Sequence, residues 1–274
     1  MSMQTEISRH TLRTLSAKKG KERIAMLTAY DVVTAQCLDE AGVDLLLVGD
    51  SMGNVVYGFD STLPVTMDMT LAHTCAVVRG SKHAMVIADL PFMTYQSSME
   101  EALKNAGRCL AEAGAQAVKL EGASTLLCEK ISRMVDAGIP VMGHIGLTPQ
   151  SVHQMGGYYT HGKNEESAAR IWREAHALSK AGCFSIVLEC VEQELAKKIS
   201  KEIPAITIGI GTGAVCDGEV LVINDLLGYS PGRAPKFAKP RIDLKSMVRT
   251  VAEEFVKETK AVPEKKQEDS KLWC

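Results

Sequence analysis

Five stretches of the chain repeat one pattern of polar and apolar residues. A polar segment ends in Ala-Gly or a related pair, a short apolar run follows, and the run closes on a polar residue. Glycine is frequent directly after a helix because it adopts left-handed backbone angles at little cost. The apolar run is typical of a strand that is buried on both faces. The stretches are EAGVDLLLVGD (40–50), EAGAQAVKLEG (112–122), DAGIPVMGHIG (136–146), KAGCFSIVLEC (180–190) and, less closely, RGSKHAMVIAD (79–89).

Between these runs the apolar positions change to helical spacing. Ser98 and Glu101 have the spacing of a capping box, and an i, i+3, i+4 apolar stripe follows them. Asn164 and Asp31 stand at the same place before two further stripes and are predicted to cap those helices. The pattern therefore predicts strands and helices that alternate along the chain.

About eight strands are predicted, and strands that alternate with helices favour a parallel sheet. Eight such units in 274 residues favour a single-domain (β/α)₈ TIM barrel, an α/β fold, with an open doubly wound sheet as the alternative. We expect residues 1–262 to form the catalytic barrel and residues 263–274 to form a charged C-terminal tail. The strands are expected near residues 24–28, 44–49, 84–88, 116–120, 140–144, 183–188, 205–209 and 219–223.

Composition narrows the classes of partner. The sequence has 31 basic and 33 acidic residues and a formal net charge of −2, which disfavours nucleic-acid and membrane partners. The N-terminal segment has no apolar region of a secretory signal, and no apolar run approaches the ~18 residues of a membrane span. The eight cysteines form no C-x-x-C pair, which fits a reducing, cytoplasmic location better than a zinc or disulfide role.

Candidate chemistry collects where the predicted strands end. Active sites of such barrels lie at the C-terminal ends of the strands. Four carboxylates that converge there would repel one another unless a cation were present, and oxygen ligands favour Mg²⁺ or Mn²⁺ over Zn²⁺. Each carboxylate alone could instead be a helix cap or part of a loop salt bridge. The residues at the strand ends are Asp50, Asp89, Lys119, Glu121, His144 and Glu189.

Four features each allow two interpretations. Lys119 lies inside an apolar strand, so it is either functional or part of a structural ion pair. His144 could bind metal or substrate, or be a core histidine with satisfied hydrogen bonds. The loop between His153 and His161 could cover the mouth or be an ordinary surface loop, and GIGTG (209–213) could bind phosphate or pack a tight turn.

Seven motifs resemble ketopantoate hydroxymethyltransferases over roughly residues 5–260. The resemblance implies transfer of a one-carbon hydroxymethyl unit from the co-substrate 5,10-methylenetetrahydrofolate to 3-methyl-2-oxobutanoate, through a Mg-stabilised enolate. It also implies a place in pantothenate biosynthesis and a homo-oligomer, often a decamer. The motifs are LLVGDSMG (46–53), DSTLPVT (60–66), IADLPFM (87–93), VKLEGA (118–123), GHIGLTPQS (143–151), VLECV (187–191) and the segment from IGIGTG to CDGEVLVINDLLG (208–228).

The same resemblance suggests a role for each matching residue. Glu189 resembles the general base, and Glu121 resembles a third metal-associated carboxylate that acts directly or through water. The remaining acids Asp50 and Asp89 resemble the Mg²⁺ ligands. Asp50, Ser51, Asp89 and Lys119 resemble the 2-oxo acid site, and we also expect His144, from its place near a strand end, to bind substrate.

Two alternatives to this function remain open from the sequence. The first is another Mg²⁺-dependent 2-oxo acid barrel, such as a carbon–carbon lyase or a phosphoenolpyruvate mutase-like enzyme, although the K-x-C-G-H-type motif expected there is absent. The second is a non-catalytic barrel, whose signature would be the loss of one or more site acids. All of those acids are present.

Overall fold

Eight parallel strands close into a barrel in a computed structural model that describes residues 9–157, 159–232 and 234–261. The predicted fold class is confirmed, and every strand begins and ends within two residues of its predicted bounds. The five strands that follow the repeated glycine pattern are almost wholly buried, which is why they read as apolar runs, whereas the first and last strands each have an exposed residue. The strands are β1 (Ile24–Thr28), β2 (Leu45–Val48), β3 (Met85–Asp89), β4 (Ala117–Glu121), β5 (Val141–Gly146), β6 (Ser185–Glu189), β7 (Ile206–Ile210) and β8 (Gly218–Leu221).

The strand register brings polar residues of neighbouring strands side by side at one end of the barrel. Asp89 at the end of β3 pairs in register with Lys119 of β4. Glu121 at the end of β4 pairs with His144 of β5. Gly146 of β5 pairs with Glu189 of β6. Residues far apart in the sequence therefore meet at the C-terminal mouth.

Helices connect the strands on the outside of the barrel. The predicted N-caps are confirmed for Asp31, Ser98 and Asn164, whose side chains each accept a backbone N–H of the first turn. The Glu101 side chain, the second member of the predicted capping box, accepts a hydrogen bond from the Ser97 hydroxyl. The helices are α1 (Leu12–Ser16), α2 (Val32–Glu40), α3 (Met52–Val55), α4 (Met67–Gly80), α5 (Met99–Ala111), α6 (Thr125–Asp136), α7 (Val152–Met155), α8 (Glu165–Lys180), α9 (Gln193–Glu202), α10 (Ile223–Leu226) and α11 (Leu244–Ala261).

The last units depart from a regular alternation of strand and helix. Residues 211–217, all of which the structure describes, join β7 to β8 through turns and carry no helix. The glycines of GIGTG serve this turn: Gly211 and Gly213 have φ of +68° and +74°, and a Cβ on Gly211 would lie 2.9 Å from the Phe237 ring. Close packing of a turn, one of the two sequence interpretations, thus accounts for these glycines.

Helix α11 has 18 residues and none of them is buried. The predicted tail, residues 263–274, lies outside the described residues. Within the described ranges no helix has both the length and the apolar character that a membrane span requires.

The barrel interior is filled by apolar side chains beneath the mouth. Alternate residues of the strands point inward, so each strand contributes to this plug of side chains. A second and larger cluster packs the outer face of strands β3–β6 against helices α5, α6, α8 and α9. The plug includes Met26, Leu45, Leu47, Met85, Ile87, Ala117, Met142, Val187, Ile206, Ile208 and Val220.

Gly146 closes β5 at a point where no side chain fits. Its φ is +95°, and an added Cβ would collide with the Glu189 carbonyl oxygen and lie 2.8 Å from Val191 Cγ2. Gly138 has a similar φ of +84°, but nothing lies within 4 Å of a Cβ built there. A side chain at Gly146 would therefore cause both backbone strain and a steric collision, whereas one at Gly138 would cause backbone strain alone.

We predict that Gly146→Ala lowers the free energy of unfolding by about 3 kcal/mol, since strain and overpacking add. Gly138→Ala should lower it by only about 1–2 kcal/mol, from strain alone. Urea unfolding monitored by circular dichroism measures both. Equal losses for the two variants would contradict the proposed collision between β5 and β6.

Candidate active site

All the candidate residues line one cavity at the C-terminal mouth of the barrel. Its volume is about 180 Å³. Strands β2 to β6 deliver the residues because each predicted acid, lysine or histidine lies within two residues of the C-terminal end of a strand. The set is Asp50, Ser51, Asp89, Lys119, Glu121, His144 and Glu189.

Lys119 is the buried cation of the cavity. Its Nζ lies 2.7 Å from Asp89 Oδ2 and 3.6 Å from Glu121 Oε1, and its residue is 4% exposed. Burial alone would lower the pKa of Lys119, but the nearby carboxylates of Asp89 and Glu121 outweigh it and raise that pKa. The lysine therefore stays charged, and it takes part in an ion pair while it faces the cavity.

The carboxylates of the cavity exceed the positive charge that Lys119 supplies. Burial, followed by the charges of Asp89 and Glu121, raises the pKa of Asp50 to about 8. Burial also raises the pKa of Asp89, although Lys119 opposes it. Asp89 Oδ1 is buried and has no hydrogen-bond partner among the described residues. The raised pKa values of Asp50 and Asp89 thus indicate that the cavity holds too little positive charge to balance both carboxylates.

Asp50 and Asp89 suit a hard divalent cation as a pair of oxygen ligands. The Asp50 N–H also donates to Asp89 Oδ2 at 3.3 Å, so the two residues are in contact. Within the described part of the chain, no three Asp, Glu, His or Cys side chains are already grouped to hold a metal ion. Mg²⁺ is often bound through one or two carboxylates, with water and substrate oxygens as the other ligands. The pair Asp50 and Asp89 fits that pattern.

His144 stands between the two glutamates of the mouth. Its Nδ1 lies 3.2 Å from Glu121 Oε1, and its Nε2 lies 3.2 Å from Glu189 Oε2. Neither ring nitrogen has a partner in hydrogen-bond geometry, so these are contacts between charges. Burial and Lys119 lower the pKa of His144, but Glu121 and Glu189 outweigh them and raise it to about 9. The imidazolium therefore links Glu121 to Glu189.

Glu189 is the most open carboxylate of this set, with 15% of its side chain exposed. The next residue, Cys190, has a left-handed φ of +50°. This turn ends β6, and the Cys190 carbonyl accepts the N–H of His161 at 2.7 Å. A base that must reach a substrate carbon needs such an open position at the rim.

Several residues of the site were not assigned a role from the sequence. The Tyr30 hydroxyl lies 2.8 Å from Ser51 Oγ, and the Tyr95 hydroxyl lies 2.8 Å from Gln150 Oε1. Gln150 also bonds Asp50 at 3.0 Å. Only the motif GHIGLTPQS pointed to this region, and it carries no information about which residue its glutamine contacts.

The segment after β2 forms part of the cavity wall. Thr62 lines the cavity, and its buried hydroxyl has no partner among the described residues. Gly53 in α3 allows this approach, because a Cβ there would lie 2.8 Å from Val65 Cγ2 and 3.2 Å from the Ser61 carbonyl oxygen. The long loop predicted at residues 51–66 therefore contributes to the wall of the cavity.

The loop between His153 and His161 borders a different cavity. Gln154 and Tyr159 line a space of about 730 Å³ beside α6 and α8. The described residues of this loop do not line the 180 Å³ cavity. His161 forms a single parallel bridge with Val191, so the loop is attached close to the end of β6.

Comparisons with known proteins identify relatives over nearly the whole chain. A family model described as ketopantoate hydroxymethyltransferase matches residues 9–264. The 3-methyl-2-oxobutanoate hydroxymethyltransferase of Carboxydothermus hydrogenoformans is 55% identical over 89% of this chain and 88% of its own length. The protein of that name from Syntrophus aciditrophicus is 52% identical over 95% of this chain and 96% of its own length.

Solved structures show a similar fold at much lower identity. Phosphoenolpyruvate phosphomutase from Streptomyces platensis subsp. rosaceus aligns with a TM-score of 0.62 and 14% identity, over 92% of this chain and 88% of its own. A 2,3-dimethylmalate lyase of the PEP mutase/isocitrate lyase superfamily aligns with a TM-score of 0.58 and 17% identity, over 95% of this chain and 92% of its own. At such identities the similarity establishes the barrel alone.

Proposed function

The chain belongs to the ketopantoate hydroxymethyltransferase family, and we propose that it transfers a hydroxymethyl unit from 5,10-methylenetetrahydrofolate to 3-methyl-2-oxobutanoate. The product is 2-dehydropantoate, an intermediate of pantothenate biosynthesis. One observation carries the proposal: two adjacent acids, a buried lysine and an open glutamate converge in one small cavity. These groups suit the removal of a proton from C3 of a 2-oxo acid, the carbon next to the 2-oxo group.

In the proposed complex Asp50 and Asp89 would hold Mg²⁺ or Mn²⁺, and Glu121 would be the third metal-associated carboxylate, directly or through water. The cation, when bound, supplies the positive charge that stabilises negative charge developing on the 2-oxo oxygen. Lys119 adds a second fixed positive charge on the same side of the cavity. Ser51, held by Tyr30, is a hydroxyl donor for the substrate, and His144 adds a positive charge at the wall.

Glu189 is the proposed base. Its carboxylate takes the proton from C3 of the oxo acid, and the C3–H electron pair moves into the enolate. Water adds to the methylene carbon of the folate iminium, and cleavage of the bond from that carbon to the folate nitrogen releases tetrahydrofolate and formaldehyde. The enolate carbon then forms a bond to the formaldehyde carbon, and the formaldehyde oxygen takes up the proton held by Glu189 and becomes the hydroxyl group of the product. His144, 3.2 Å from Glu189, holds the base in place as its charge changes.

The size of the cavity suggests where each of the two substrates binds. A volume of about 180 Å³ is below the ~300–1,000 Å³ of pockets that enclose drug-sized ligands. A small oxo acid fits within it, whereas the folate must approach over the rim, where Glu189 is partly exposed. This arrangement suits a reaction in which the proton is removed inside and the one-carbon unit arrives from outside.

The rival function is bond cleavage in a Mg²⁺-dependent lyase or mutase, as in the enzymes with a similar fold. The assay that separates them supplies 3-methyl-2-oxobutanoate and Mg²⁺ with and without 5,10-methylenetetrahydrofolate. We expect 2-dehydropantoate only when the folate is present. Cleavage of a 2-oxo or 2-hydroxy acid without folate, and no 2-dehydropantoate with it, would favour the rival.

Metal removal gives a further prediction. Chelation should abolish turnover because it removes the cation that stabilises negative charge on the 2-oxo oxygen. Added Mg²⁺ or Mn²⁺ should restore it, as measured by 2-dehydropantoate formation after dialysis against a chelator. Full turnover in protein shown by elemental analysis to be metal-free would contradict the proposed site.

We further propose a homo-oligomer, with a decamer as the first expectation. An apolar face on α11 supports it, since Phe255, Val251 and Met247 are 67%, 65% and 58% exposed. Light scattering of an active preparation should therefore give a mass several times the 29.6 kDa of the chain. A monomeric mass would contradict this proposal.

We also propose a cytoplasmic location, because the cysteines of the described residues are all free.

A further inference from the structure

Gln150 is a buried polar residue with contacts to both sides of the proposed metal site. Its residue is 4% exposed, and it lies in the short turn after β5. Its Nε2 donates to Asp50 Oδ2 at 3.0 Å, and its backbone N–H donates to Glu121 Oε2 at 3.0 Å. One residue thus bonds two of the four acids at the mouth.

Neighbours fix the orientation of the Gln150 amide. Nε2 also donates to the Leu90 carbonyl oxygen at 3.0 Å, and a carbonyl can only accept. Oε1 accepts the Tyr95 hydroxyl at 2.8 Å. The Tyr95 oxygen in turn accepts the N–H of Glu121 at 3.1 Å, and the Glu121 carbonyl oxygen is a second, longer acceptor for the same hydroxyl at 3.2 Å. A flipped amide would lose the bonds to Asp50 and Leu90.

This orientation determines how Asp50 can bind a cation. One carboxylate oxygen is engaged by an N–H donor, and a carboxylate held in this way has fewer orientations available. Hydrogen-bonded outer partners of this kind orient metal ligands, and their loss typically costs about 10–100-fold in metal affinity. The distance in sequence between Gln150 and Asp50 is 100 residues, so only the closed barrel brings them together.

We propose that Gln150 is a positioning residue for the metal, which orients Asp50 through its side chain while Tyr95 holds the amide in the productive orientation. The inference rests on the proposed function, because it assumes that Asp50 is a metal ligand. Gln150 itself touches neither metal nor substrate in this proposal. Its effect is exerted on the affinity for the cation.

The test measures Mn²⁺ binding, with and without 3-methyl-2-oxobutanoate, by electron paramagnetic resonance of the free ion. Gln150→Met keeps the length of the side chain and removes its donors. We expect its Mn²⁺ dissociation constant to rise about 10–100-fold. In turnover assays the Mg²⁺ concentration for half activity should rise by a similar factor, and saturating Mg²⁺ should restore most of kcat.

A matched control comes from Gln116, a glutamine whose side chain bonds two backbone groups. Its Oε1 accepts the Val86 N–H at 2.8 Å before β4 begins, at the opposite end of the barrel. Gln116→Met should lower the melting temperature without changing Mn²⁺ affinity. If a general loss of packing explained the Gln150 effect, saturating metal would not restore kcat and Gln116→Met would weaken Mn²⁺ binding as well.

Tyr95→Phe is the second variant, and it decides the question if Gln150→Met does not fold. It removes the hydroxyl that orients the amide and leaves the amide in place, so its Mn²⁺ dissociation constant should rise by a smaller factor. Parent-like Mn²⁺ binding in the folded variants would overturn the positioning role while leaving the proposed function intact. A parent protein that binds no Mn²⁺, even with the oxo acid, would instead overturn the metal site and this inference together.

Discussion

Replacing Glu189 with glutamine is expected to lower both C3 hydrogen exchange and turnover by about 10²–10⁴-fold. Glutamine keeps the shape of the side chain but cannot accept the proton. The carboxylate is held 3.2 Å from the His144 ring, and the amide should occupy the same place. Binding of Mg²⁺ and of 3-methyl-2-oxobutanoate should therefore stay close to the parent values, as isothermal titration would measure.

Glu192 provides the matched control for this variant. It lies three residues further on, and its carboxylate accepts the Leu195 N–H as the cap of α9. Glu192→Gln removes a neighbouring negative charge and should leave exchange unchanged. If Glu189→Gln exchanges the C3 hydrogen at the parent rate, Glu189 is not the base. Glu121, on the other side of His144, would then be the first candidate.

Asp50→Ala is expected to abolish exchange by a different route, through lost binding. Asp50 faces Asp89, so its removal takes away one of two proposed oxygen ligands. The affinity for Mg²⁺ should fall by more than the roughly 10–100-fold that is typical of losing an outer partner. The affinity for the oxo acid should fall with it, because the acid is proposed to sit on the metal.

The two catalytic variants are thus distinguishable by titration. Asp31→Ala is a control for Asp50→Ala, because Asp31 caps α2 on the surface and its loss should cost about 1 kcal/mol of stability without affecting binding. Parent-like Mg²⁺ and oxo acid affinities in Asp50→Ala would exclude Asp50 as a ligand.

The strands and the polar residues at their ends could be predicted from the sequence because both depend on local pattern. A strand buried on both faces reads as an apolar run, and the polar residue that closes it lies at the mouth. The convergence of Asp89, Lys119 and Glu121 then follows from the closure of the barrel. Their chemistry was suggested by residue type, whereas the particular oxo acid came only from the family resemblance.

The contacts that refine the site could not be predicted in this way. The bridge formed by His144 depends on the register of β4, β5 and β6, and one sequence does not specify register. The bond from Gln150 to Asp50 depends on how two loops pack across the mouth. The sequence pattern also does not predict that residues 211–217 lack a helix. A glycine-rich turn after a strand does not by itself indicate how the chain reaches the next strand.

The central claim is that this chain removes the C3 proton of 3-methyl-2-oxobutanoate with the help of a divalent cation and before any folate chemistry. The most direct test incubates the parent enzyme with the oxo acid and Mg²⁺ in D₂O, without folate and with an unreactive folate, and follows the C3 hydrogen by proton NMR. We predict that the C3 signal disappears in the presence of Mg²⁺ and persists when a chelator is added. A signal that persists under all these conditions, in a preparation that still forms 2-dehydropantoate, would contradict this mechanism.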